Sequence, residues 1–334
     1  MNPLPNMSAT STIIDSKADL LPLLDSIVNV ATDPPSLYFG LEGFDLGRHG
    51  SVSILSLHIA PTKGTYLIDV HALGGGAFST TNSSGVSLKT ILESTTIPKV
   101  VFDIRNDSHA LFRLFHVSVE SIKDLQVMEL ATRTGSRELV SSLAMCIERH
   151  SPISAAAKTE WHLTKERYNK LVDPERGGRP QALNERPPKP EIIQYCRQNV
   201  MLLPALYNVY NTKLRQPGEA FWRITVRDTT KDRIKLSQSP GYDGYSKRSA
   251  HGWNDHTIET EMESWNEYLM MEDRAGTHVL NENDEWVPAP SYDFEDFLNE
   301  EDQYYDDDNN DWGNDTARDC IGWEEDMIKN GESF

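Results

Sequence analysis

The sequence predicts an α/β fold in which a mixed sheet is flanked by helices. Three observations predict it. Leu37-Tyr38-Phe39, Val52 to Ile59 and Tyr66 to Val70 are apolar, largely β-branched or aliphatic runs, joined by short polar turns such as Pro61-Thr62-Lys63-Gly64. Such runs read as three consecutive strands of a meander. After them, helix-period and strand-like stretches alternate. That order of strands, helix, strand, helix, strand and helices makes a mixed sheet with helices on its faces.

The elements follow in order. Residues 1–18 are polar and expected to be disordered. Ser16 or Asp19 opens a short amphipathic helix through Leu20, Leu21, Leu23, Leu24, Ile27 and Val28, with Pro22 tolerated in its first turn. The three strands come next. Gly74-Gly75-Gly76 and Asn82-Ser83-Ser84-Gly85 form a loop without the Gly-Lys-Ser/Thr ending of a phosphate loop. Leu88 to Leu92 is a helix. Lys99 to Ile104 is a buried strand, and Asp107 or Ser108 caps a helix through Leu111, Phe112 and Phe115. A strand-like piece within 117–130 precedes a helix running to about Arg149. Val172 to Pro190 is irregular, with Gly177-Gly178 and several prolines. Glu191 to Leu214 is a helix, with Ile193, Cys196, Val200, Leu203, Tyr207 and Tyr210 on one stripe and a kink at Pro204.

Charge divides the chain. Of its 51 acidic and 32 basic residues, 26 and 3 fall after Asn254, so residues 1–254 hold 25 acids against 29 bases. A mildly basic body therefore carries an acidic, aliphatic-poor tail over 255–334, expected to be disordered, and the body suits a polyanion. Asp307 to Arg318 is no calcium loop: Trp312 stands where the sixth-position Gly belongs and Arg318 where the closing Glu belongs. The three cysteines have no metal or disulfide spacing, which suits a reducing compartment. No apolar run approaches a membrane span and no signal pattern opens the chain. These features set the expectation of a soluble intracellular protein, nuclear or cytoplasmic, without membrane contact.

Glu42 is the acid to explain, because it ends the first strand among apolar neighbours. Such a carboxylate is either hydrogen-bonded, bound to a metal, or exposed in a turn. Three stretches carry a resemblance: Phe39-Gly40-Leu41-Glu42-Gly43, Phe102-Asp103-Ile104-Arg105-Asn106-Asp107-Ser108-His109-Ala110-Leu111, and Tyr195-Cys196-Arg197-Gln198-Asn199-Val200. Together they resemble the DEDD-type 3′-5′ exonuclease domain of ribonuclease D and the Werner exonuclease, and the pattern is nearest that of fungal members. The likeness covers roughly residues 19–214. It implies a ribonuclease H-like sheet of five to six strands over 19–214, a C-terminal extension over 215–254 and the acidic tail over 255–334. Glu42 is expected beside Tyr195 and Asn199.

The resemblance also implies a chemistry. The family's four carboxylates and one tyrosine hold two divalent ions, Mg or Mn, that clamp the attacking water and the leaving oxygen. Carried over residue by residue, Glu42 and Tyr195 match. Gly40 takes the place of the first Asp, His109 that of the third acid, and Asn199 that of the last Asp. One carboxylate of four cannot offset the charge of two Mg²⁺, so bound metal is expected to be weak or absent and activity weak or lost. Asp103 and Asp107 are the alternative metal-binding acids. The expected function is a nucleic-acid-binding, catalytically impaired domain for a single-stranded DNA or RNA end, with Arg48, Arg105, Arg179 and Arg186 as phosphate contacts. Two alternatives stand beside it. One is an active exonuclease using Glu42 with Asp103 or Asp107. The other is a protein-interaction scaffold acting through the acidic tail. In the binding reading, that same tail, acidic and punctuated by aromatics, is expected to compete for the basic groove.

Overall fold

The computed structural model describes residues 12–46, 50–216, 218–244, 246–271, 278–281 and 286–288. Strand β1 (Thr12–Ile14) and helix α1 (Lys17–Ile27) lead into β2 (Leu37–Phe44), β3 (Ser51–Ile59) and β4 (Gly64–Asp69). Three short helices follow, α2 (Val70–Leu73), α3 (Gly76–Ser79) and α4 (Leu88–Leu92). Then come β5 (Lys99–Val101), α5 (Ile104–Phe115), β6 (Ile122–Asp124), α6 (Leu125–Thr132), α7 (Leu143–His150) and α8 (Ala155–Val172). The chain continues through α9 (Pro190–Met201), α10 (Leu203–Leu214), α11 (Ala220–Gln238) and α12 (Asp255–Met271), then a hairpin of β7 (His278–Leu280) and β8 (Trp286–Pro288).

Six strands form one sheet in the order β1-β4-β3-β2-β5-β6. The expected meander is there, with β2, β3 and β4 pairing antiparallel, while β5 joins β2, and β6 joins β5, in parallel. Neighbours on β2 point to opposite faces, as a pleated strand requires. Phe39 packs with Leu20, Leu24, Leu55 and Phe78 on one side. Tyr38 packs with Val100, Trp161, Leu206 and Tyr210 on the other. Side chains of this size contribute roughly 1.5–3 kcal/mol each when fully buried, so β2 is held from both sides.

Several boundaries differ from the sequence reading. Residues 12–18 are not disordered: Thr12–Ile14 pairs with β4 in parallel, and Ser16 caps α1 by accepting the Asp19 N–H. A three-residue strand has no periodicity of its own; its partner strand specifies it. The cap of α5 is Asp103, not Asp107 or Ser108, because Asp103 takes a left-handed backbone conformation (φ 59°) that ends β5 early. Glu191 to Leu214 is two helices meeting at Leu202, since Pro204 sits in the first turn of α10 and offers no N–H. Asp255 to Met271 is helical rather than disordered, with Ile258 buried and the Asp255 carboxylate accepting the Arg137 N–H at 2.7 Å. Residues 289–334, most of the expected acidic tail, lie outside the described residues, as does Arg48. Among the described residues no helix is long and apolar enough to cross a membrane.

Candidate functional site

Gly40 and Glu42 lie two residues apart on β2, so they share a face. A bulge between Glu42 and Gly43 shifts the β2–β3 register there and turns the strand end. Only glycine fits at 43, because a Cβ would meet the Ser51 carbonyl at 2.1 Å. Gly40 is different: a Cβ there would rest 3.9 Å from Val200, an ordinary contact. Nothing in the packing demands the missing side chain.

A cleft of about 120 Å³ opens over these residues, lined by Gly40, Glu42, Ser56, Asp107, Cys196 and Asn199 with apolar walls. The three motif stretches therefore meet, and Glu42 lies beside Asn199 as expected. The acid that α5 sends into the cleft is Asp107, whose carboxylate accepts the Leu41 N–H at 3.2 Å. His109 is a correction. Two residues along a helix is about 200° of rotation, so Asp107 and His109 face opposite ways. Nδ1 of His109 lies 2.6 Å from the Ser237 carbonyl, which makes it the protonated nitrogen, and the ring sits 5.0 Å from that of Tyr242.

Asp103, Arg105 and Arg186, also expected at the site, are engaged elsewhere. Asp103 accepts both Nε (2.6 Å) and Nη2 (2.7 Å) of Arg105 and is turned from the cleft. Arg105 is buried and also donates to the Ser249 carbonyl at 2.8 Å. Arg186 grips Asp69 through two nitrogens and donates to the carbonyls of Leu183 and Glu185. Neither arginine is presented to a phosphate. Arg179 is exposed and pairs with Glu185.

The sequence reading missed Tyr168. From α8, its hydroxyl donates to Glu42 Oε2 at 2.6 Å, and its ring stacks on Tyr195 with centroids 3.7 Å apart. The Trp161, Thr164, Tyr168, Leu171 spacing was the available signal for that helix. Burial raises the Glu42 carboxyl to about 7, opposed by hydrogen bonds from Tyr168 and Asn199 and by the Lys165 charge. Burial likewise raises Asp107 well above the usual carboxylate range, opposed by the Leu41 N–H and reinforced by the charges of Glu42, Asp103 and Asp124. Tyr195 is raised by burial and by the Glu42 charge. The two acids therefore resist ionising together.

That set does not fit a pair of divalent ions. The cleft holds two acids, one neutral amide and no side chain at 40, and among the described residues no group of three His, Cys, Asp or Glu side chains could hold a metal. Two Mg²⁺ want several ionised oxygen ligands, and Gly40 and Asn199 add no carboxylate to Glu42 and Asp107.

Comparison with known proteins agrees with the fold. A family model described as 3′-5′ exonuclease matches residues 22–215. The piRNA biogenesis protein EXD1 of Danio rerio is 38% identical over 84 residues, which is 25% of this chain and 21% of that protein. The match thus spans about a fifth of that relative's length. The crystal structure of Trypanosoma brucei RNase D with RNA U12 superposes with a TM-score of 0.56 at 18% identity, covering 76% of this chain and 79% of the other. The same enzyme with GMP gives 0.57 at 17% identity, covering 76% and 72%.

Proposed function

Because the chain belongs to the 3′-5′ exonuclease family, we propose that it binds a single-stranded nucleic-acid end and has lost two-metal-ion hydrolysis. One observation carries this reading: the cleft keeps Glu42 and Asp107 but presents Gly40 and Asn199 at its other two key positions. By analogy with the family's four-acid pattern, two charges are missing rather than the three counted from sequence. Each tenfold loss of rate corresponds to about 1.4 kcal/mol of barrier, and losing two ligands of a two-metal clamp exceeds that several times over.

RNA is the favoured polymer. The zebrafish relative is named for piRNA biogenesis, and the trypanosomal structures hold an RNA and a ribonucleotide. Lys165, whose charge is felt at Glu42, replaces Arg105 and Arg186 as a candidate phosphate contact.

The test uses purified full-length protein with 3′-labelled single-stranded RNA and DNA. With Mg²⁺ or Mn²⁺ present, the label should stay at full length while fluorescence anisotropy reports binding, tighter for RNA. Shortening of the oligonucleotide that Glu42→Ala abolishes would refute the reading. It would favour the active alternative with Glu42 and Asp107 as its acids. Absence of binding to either polymer at low salt would refute it too.

A further inference from the structure

Tyr168 lies outside all three motif stretches, yet its hydroxyl bonds directly to Glu42. The hydroxyl donates at 2.6 Å, a short O–H···O bond. Its ring is buried and lies within 13° of the plane of Tyr195. The hydroxyl cannot swing away without breaking that stack. Asn199 supplies a second donor to the carboxylate, while its own Oδ1 is buried and unpartnered.

A carboxylate in a buried cleft needs donors or a cation beside it. A hydroxyl hydrogen aimed at a carboxylate oxygen takes one of the carboxylate's lone-pair sites, and a cation cannot use that site at the same time. Where one is fixed, the other is excluded along that direction. We propose that Tyr168 is a positioning residue that stands in for the divalent ion: clamped by Tyr195, it holds Glu42 and keeps the cleft formed without metal. This rests on the reading of the cleft as metal-poor and adds the group responsible. A cage of four acids repels itself when empty, whereas this cleft meets a nucleic-acid end already organised.

Four forms of the full chain test it: wild type, Gly40→Asp/Asn199→Asp, that pair with Tyr168→Phe, and Tyr168→Phe alone. The probe is Mn²⁺ alone, followed by electron paramagnetic resonance of the free ion and by thermal unfolding. Gly40→Asp/Asn199→Asp should bind Mn²⁺, and adding Tyr168→Phe should tighten binding about tenfold or more, or about 1.4 kcal/mol. Equal affinity with Tyr and Phe at 168 overturns the proposal. If the four-acid variants fail to fold, Tyr168→Phe alone decides, since it keeps the ring stack and removes only the donor. Its Tm should fall, and Mn²⁺, but not Na⁺ at matched ionic strength, should recover part of the loss. A purely structural tyrosine would give the fall without the recovery, and that result overturns the proposal. Mn²⁺ binding or oligonucleotide shortening by the wild type would instead refute the metal-poor reading itself.

Discussion

The two faces of α5 both bury charge, and they balance it in opposite ways. On the face toward α11, acids are matched by arginines. Asp124 is fully buried and accepts the N–H groups of Asp103, Ile104 and Gln126 as well as Arg233 Nη1 at 2.9 Å. Beside it, Arg105 and Asp103 form a two-point pair, and Arg113 and His109 tie α5 to carbonyls at the end of α11. On the cleft face, Glu42 and Asp107 have mainly neutral donors: a tyrosine, an amide and a backbone N–H. Compensated charge of the first kind serves the architecture. Uncompensated acids cost a fold stability, and a pair of them in a cleft is the pattern that ligand sites share.

If α11 is part of the architecture, removing it should have the largest effect. A chain ending at Leu214 strips the arginine side from Asp124 and uncovers the core beneath Phe221 and Val226. It should lose cooperative thermal unfolding by circular dichroism, at a cost of about 5 kcal/mol or more, comparable to a whole domain's stability. A chain ending at Asn254 keeps α11 and should unfold cooperatively. Next comes Arg233→Met. Leaving Asp124 buried without its cation should cost about 3–5 kcal/mol in urea unfolding. Arg233→Met with Asp124→Asn should recover part of that.

Much of this contrast was legible in the chain, and the remainder was hidden for identifiable reasons. The three meander strands declared themselves because each run is long enough to show its pattern, and the motif order placed Gly40, Glu42 and Asn199 together. β1 was invisible because pairing with β4, not its own three residues, makes it a strand. Asp107 was legible as an alternative acid, and the helical rotation that separates it from His109 is what a pattern of letters does not display. Arg105 and Arg186 looked like phosphate contacts because a sequence does not show that Asp69, 117 residues earlier, occupies Arg186.

His109→Asp sharpens the contrast at smaller scale. An alignment that equates His109 with a catalytic acid expects this change to enrich the metal site. The structure expects an acid facing the Ser237 carbonyl with no donor between them. Stability should fall by about 2–3 kcal/mol, the cost of a buried unsatisfied charged group. Mn²⁺ affinity should not change.

The smallest effect is also the most diagnostic, because it reads the cleft's lack of compensation directly. The Glu42 carboxyl is raised to about 7 from an ordinary 4.5. Between those values the folded state holds a proton that the unfolded chain has released, so stability falls as pH rises through that window. Asp107 is raised in the same direction and adds to the slope. Glu42→Gln keeps an acceptor for the Tyr168 hydroxyl and removes the charge. It also relieves Asp107, whose carboxyl Glu42 pushes upward. The wild type should therefore lose stability relative to Glu42→Gln from pH 5 to pH 7. The part of the difference due to Glu42 itself is at most about 1.4 kcal/mol per pH unit, and solvent screening of the half-buried group holds it below that. Urea midpoints at three pH values measure it. The matching change on the arginine side, Asp124→Asn, has no such relief to offer and should cost stability at pH 7 by uncovering Arg233. If Glu42→Gln were the less stable protein at pH 7, Lys165 would have to be compensating Glu42 as Arg233 compensates Asp124. The two faces of α5 would then follow one rule, and the cleft's acids would no longer single it out as a functional site.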